Sequence, residues 1–294
     1  MKHAIRTGIA LIAICSASAV AQAQPPEGIP AAIYTDPPHD AAHPARLEVL
    51  HIPSGVETIY GLAYLAVGAG THPTVVLCHG WPGNEKNLDL AQAMRRDGWN
   101  VVTFNYRGSW GSPGTFSFAQ NPEDAKAVLA YLRDPENAAK LGIDTSKMVL
   151  MGHSMGGWVT AEVASEDTQL AGAVLISAAN MGLAGKLPYR ELYAVSAGNA
   201  ETLSGATAQS MSDELKAHSD DYDLMNKVDG LTRAPLLVLT ADDGLAASAD
   251  ALVAAIRKAG GTQVTVSHAA TDHSWSDHRI DLESRIINWL DALK

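Results

Sequence analysis

Short apolar runs rich in Val, Leu and Ile recur along the chain, separated by longer helix-like stretches. The runs predict strands over 47–52, 58–66, 74–79, 100–106, 148–152, 171–177, 236–240 and 263–268. The intervening stretches predict helices over 87–97, 123–133, 155–166, 248–259 and 279–293. The first two strands follow one another as in a hairpin. From Thr74 onward strand and helix take turns, the signature of an α/β fold with a mostly parallel sheet of eight strands and helices on both faces. Residues 181–230 interrupt the alternation after the sixth strand, with Leu183, Leu187, Tyr189, Leu192 and Tyr193, then Leu215, Tyr222, Leu224 and Met225. A connection that long inside a compact domain carries structure of its own. It reads as a short helical insertion above the sheet, a candidate lid or pocket wall.

The N-terminus has a different character. Lys2, His3 and Arg6 precede an apolar run from Gly8 to Cys15, and Ala21-Gln22-Ala23 supplies the small-x-small pattern of a signal-peptidase site. The expectation is a signal peptide over 1–23 and one domain over 24–294, exported to the periplasm or the medium, with 25–44 as an irregular lead-in. The apolar run is shorter than the roughly 20 residues a membrane anchor needs, so no stable membrane insertion is expected. With Cys15 removed, Cys78 is the lone thiol and cannot form an internal disulfide; its apolar run marks it as a small buried hydrophobe. A hydrophobic content of 47% and only 2 Cys exclude a disordered chain and a disulfide framework. The net charge of −11 argues against nucleic acid as a partner, because a phosphate backbone demands a basic face.

The chemistry concentrates after four of the predicted strands. Met148–Met151 runs into Gly152-His153-Ser154-Met155-Gly156, a G-x-S-x-G turn followed by a helix. A sharp strand-to-helix turn forces its central residue into a strained backbone, and side chains two positions away would collide, hence the glycines. Ser154 is thereby presented at the carboxyl edge of the sheet, beside unpaired helix N–H groups. The strand over 74–79 ends in His79-Gly80-Trp81-Pro82-Gly83, a loop able to set the Trp81 N–H beside the Met155 N–H as two donors for an oxyanion; His79 is read as holding the loop in shape. A serine nucleophile needs a base and the base an orienting carboxylate. Asp242 and Asp243 follow the strand over 236–240, and His273 follows the strand over 263–268, with His268 and His278 as further candidates for the base. Three histidines at five-residue spacing do not match the four-residue spacing of helical metal ligands, and neither metal nor cofactor is implied. Trp81, Trp110, Phe116, Phe118 and Trp275 flank these loops, which makes Trp110 and Trp275 candidate walls of a substrate pocket.

On these motifs the chain resembles the serine α/β-hydrolase superfamily over about 47–293, and most of all bacterial dienelactone-hydrolase-like and prolyl-oligopeptidase-like hydrolases. The shared features are the H-G-x-x-G loop at His79, the G-H-S-M-G-G elbow, the T-x-x-D turn ending at Asp243, and the Asp272-His273-Ser274 segment. The resemblance implies the α/β-hydrolase fold, a catalytic Ser154–His273–Asp243 triad and a glycine-rich loop over 105–114 that lines the site. Serine at 154 departs from the cysteine of dienelactone hydrolases proper and from the aspartate of epoxide hydrolases and haloalkane dehalogenases. The expected activity is hydrolysis of small carboxylic esters through an acyl-enzyme. The alternative is an exopeptidase or amidase, against which stands the lack of an evident Glu-Glu pair for a free amino terminus.

Overall fold

The computed structural model describes residues 27–294; the expected signal peptide lies outside them. Eight strands, β1 (Arg46–Ser54), β2 (Glu57–Leu65), β3 (His72–Cys78), β4 (Asn100–Phe104), β5 (Ile143–His153), β6 (Gly172–Ile176), β7 (Leu236–Ala241) and β8 (Val264–Ala269), form one sheet in the order β1-β2-β4-β3-β5-β6-β7-β8. β2 is antiparallel to both neighbours, and every other adjacent pair is parallel. Because β3, β5, β7 and β8 run the same way, all four end at one edge. The mostly parallel sheet is the one expected from the alternation, and the architecture is the α/β-hydrolase fold that the resemblance implied.

The helices are α1 (Ala31–Tyr34), α2 (Leu88–Arg96), α3 (Gln120–Arg133), α4 (Pro135–Leu141), α5 (Met155–Ala164), α6 (Met181–Lys186), α7 (Tyr189–Gly198), α8 (Ala208–Ala217), α9 (Val228–Leu231), α10 (Ala246–Lys258) and α11 (Arg279–Asp291). They cover both faces, so the central strands are apolar at successive positions rather than at alternate ones. Val76 and Cys78 of β3 enter one core with Leu129 of α3, Trp158 of α5 and Ile256 of α10. Val75 and Leu77 of the same strand enter the other, with Met94 of α2 and Ile286 of α11. Pleating sends successive residues to opposite cores and makes the sheet the wall between them.

The interruption after β6 is helical, as its length implied: α6 to α9 and a 3-10 turn, Leu224–Lys227, occupy it. Asn180 caps α6 by accepting from the Leu183 N–H, and Thr207 and Ser210 form a reciprocal capping box at α8. The cap is rooted in the body. Leu192, Met211 and Leu215 are fully buried in the core that contains Trp158.

Candidate active site

Ser154 joins β5 to α5 with φ 60° and ψ −123°, a left-handed backbone that costs an L-residue of order 1–3 kcal/mol and persists only where its surroundings impose it. They do. A Cβ on Gly152 would strike the Gly156 carbonyl, one on Gly156 the Cys78 carbonyl, and one on Gly157 the Ala178 side chain. The Ser154 N–H donates to the Ile176 carbonyl at 3.0 Å, which pins the turn to β6. Met155 opens α5, so its N–H has no acceptor within the helix and stands at the positive end of the helix dipole.

The loop after β3 closes over this turn. A Cβ at Gly80 would come within 3.0 Å of the Ser154 Cβ, tighter than side chains ordinarily pack, so glycine lets the loop pass this near without displacing the serine. His79 is buried and donates from Nδ1 to the Gly80 carbonyl at 2.8 Å, and its ring meets Tyr106 edge-on at 4.6 Å. Burial pushes its pKa down to about 4, so the ring is neutral and shapes the loop. The Trp110 indole donates to the Pro82 carbonyl at 2.6 Å, clamping the loop from outside.

His273, in the loop after β8, points Nδ1 at the Asp243 carboxylate, 2.8 Å from Oδ2; the carboxylate can only accept, so Nδ1 carries the proton. Burial pushes the Asp243 carboxyl up, but donors from His273, the Leu245 N–H and the Ser177 hydroxyl outweigh it and hold the group below the usual carboxylate range. Trp275 donates to Ser177 Oγ at 3.1 Å and so fixes the hydroxyl that faces Asp243. A cavity of about 150 Å³ is lined by Gly80, Trp81, His153, Ser154, Asn199 and His273, among others. It shares Asn84, Glu85 and Ser274 with a wider groove of about 690 Å³ that reaches Trp110.

Each histidine of the 268–278 series has its own carboxylate. His268 lies 3.2 Å from Asp242 and His278 2.9 Å from Asp277, both pairs in solvent. Geometry therefore pairs Asp243 with His273 and leaves Asp242 to a surface contact. Trp275 is a correction. It is fully buried in the second core and walls no pocket, because its left-handed backbone (φ 58°) belongs to a tight turn whose indole reaches Ser177. Phe116 and Phe118 are buried too, stacked edge-on on one another, with Phe118 against Trp81. Trp110 lies on the open groove, with the Lys86 ammonium 4.2 Å above its ring. Three residues escaped the sequence reading: Ser177, His153 as a side chain, and Asn199 at the end of α7. For Ser177 the signal was present, since it follows the strand paired with the elbow strand.

The fold and this constellation define an alpha/beta hydrolase. The chain belongs to that family, whose sequence model matches residues 75–282. Among curated proteins it is similar to Cutinase 2 of Thermobifida cellulosilytica, 28% identical over 116 residues that make up 39% of this chain and 42% of the cutinase. It is also similar to an uncharacterized protein of Mycobacterium tuberculosis, 30% identical over 96 residues, 32% of each chain. The match thus spans about a third of the length of the first curated relatives. Among solved structures, the acylaminoacyl peptidase of Pyrococcus horikoshii superposes with a TM-score of 0.67 at 14% identity, over 84% of this chain and 41% of that one. An esterase of Pyrococcus furiosus gives 0.64 at 16% identity, over 87% and 97%. At such identities the likeness is one of fold.

Proposed function

We propose that this alpha/beta hydrolase is a serine esterase that cleaves small carboxylic esters through an acyl-enzyme. Ser154 Oγ attacks the ester carbonyl while its proton passes to Nε2 of His273. The Trp81 and Met155 N–H groups receive the charge that develops on the carbonyl oxygen, each donor contributing about 10²–10³-fold in rate. The alcohol leaves with the proton from His273, water enters by the same route, and the acid departs. Asp243 holds the imidazole in the Nδ1–H tautomer and stabilises the imidazolium. The observation that carries this reading is that His273, held 2.8 Å from Asp243, lines the same small cavity as a serine held at φ 60°. The steps require no cofactor.

The test sets the protein beside its Ser154→Ala variant on p-nitrophenyl acetate, butyrate and octanoate and on aminoacyl p-nitroanilides. Ester turnover lost in the variant, with acetate and butyrate preferred because the cavity is small, is the expected result. Anilide turnover of comparable efficiency would make the protein a peptidase or amidase instead. We also propose that the chain is exported after cleavage behind Ala23, on the basic start, apolar run and Ala21-Gln22-Ala23 described above. Amino-terminal sequencing of protein recovered from outside the cytoplasm should begin at Gln24; an intact Met1 there would refute it.

A further inference from the structure

We propose that His153, the residue immediately before Ser154, is a positioning residue that holds the His273 base in register with the nucleophile through a hydrogen bond from its Nε2 to the His273 backbone carbonyl. The inference rests on the reading of Ser154 and His273 as nucleophile and base. The distance from His153 Nε2 to the carbonyl oxygen is 2.8 Å, and since a carbonyl can only accept, Nε2 bears the proton. The two rings lie 4.7 Å apart at 35°, and His153 is 3% exposed, so the contact is enclosed by protein. His153 ends β5, where its backbone pairs with Ile176, and the next residue is the strained serine. One peptide bond therefore separates the nucleophile from the side chain that grips the backbone of the base.

The other anchors of the His273 loop lead elsewhere. Arg279 holds the Ser274 carbonyl at 3.0 Å, the Asp242 N–H meets the Thr271 carbonyl at 3.0 Å, and Trp275 reaches Ser177. These fold the loop; the His153 bond ties it to the elbow. His273 is then held at two points, its ring by Asp243 through Nδ1 and its backbone by His153 through the carbonyl. Burial, with the neighbouring His273 adding to it, pushes the His153 pKa down to about 4. His153 thus remains a neutral donor near neutral pH while His273 takes up and returns a proton, so the adjoining rings do not carry two charges there. Side chains of similar bulk would fill the space without donating. A displacement near 1 Å between base and nucleophile can lower a rate by about 10²-fold, so one hydrogen bond at this place governs more than its own strength.

The experiment compares wild type, His153→Phe, His153→Gln and Ser154→Ala on p-nitrophenyl acetate, with a thermal melt of each. Phe keeps the ring and loses the donor; Gln brings an amide N–H to nearly the same point. The expected result for Phe is a kcat lower by about 10- to 100-fold with KM within about twofold, and for Gln a recovery of most of that loss. Should Phe not fold, Leu takes its place as the variant without a donor. A donor-free variant that folds and turns over at the wild-type kcat overturns the proposal, and so does a Gln variant no faster than Phe. Turnover retained by Ser154→Ala would mean that the serine-hydrolase reading itself is wrong. A dead Ser154→Ala beside a fully active His153→Phe would remove only the role given to His153.

Discussion

Three donors converge on Asp243, and its neighbour Asp242 has none of them. The Asp243 side chain is 2% exposed while that of Asp242 is 65% exposed and meets only the solvated His268. Asp243→Asn would leave the geometry while setting the His273 tautomer wrongly, so kcat on p-nitrophenyl acetate should fall by about 10³–10⁴. Asp242→Asn should stay within about twofold, as a solvated ion pair contributes little. The opposite order in initial rates would reassign the acid. Local sequence left this choice open, because consecutive turn residues point in different directions and only the fold decides which one faces the His273 loop and which one faces His268 on β8. The order of serine, acid and histidine was legible for a simpler reason, that each follows a strand of a parallel sheet. Trp275 was not legible: an aromatic beside a reactive motif looks alike as pocket wall or as core, and its left-handed backbone turns it inward.

At the scale of elements, the cap is stitched down as well as packed. The Trp110 N–H donates to the Thr202 carbonyl at 3.1 Å, the Phe116 N–H to Ser204 at 3.0 Å, and the Ser204 N–H to Gly108 at 2.7 Å, a short ladder between the segment after α7 and the glycine-rich loop. With Leu215 fully buried beneath α8, Leu215→Ala should cost about 2–5 kcal/mol of stability. For a chain of this size that lowers Tm by about 4–9 °C. A melt unchanged by the substitution would mean that the cap sits on the body without being part of its core. Most elements were legible to within a few residues because β-branched runs and helical stretches alternate cleanly. β5 begins at Ile143, earlier than the apolar run suggests, because Asp144 to Lys147 extend it beyond the covered part of the sheet, where polar side chains suit solvent. α4 escaped because seven residues are too few for a hydrophobic period, although Asp134-Pro135 at its start and Gly142 (φ 64°) at its end punctuate it.

For the whole molecule, His79 and His153 make stability depend on pH. Each is buried, and each has its pKa pushed down to about 4 against about 6.5 for an unfolded histidine. Between those values the unfolded chain binds more protons, so stability is fully present above about pH 6.5 and is lost as pH falls toward 4. By pH 5 each histidine has removed about 2 kcal/mol. Folded His153→Gln should therefore lose less stability than wild type between pH 7 and pH 5, by about that amount in urea melts; parallel losses would place a solvated, ordinary histidine at 153.

The central claim is that Ser154 is the nucleophile, and the most direct measurement is to treat the protein with a fluorophosphonate and locate the adduct by peptide mass mapping. The account predicts one adduct per chain, on Ser154, with loss of ester turnover in step with labelling and no adduct on the Ser154→Ala variant. An adduct on another residue, or labelling undiminished in the variant, would contradict it.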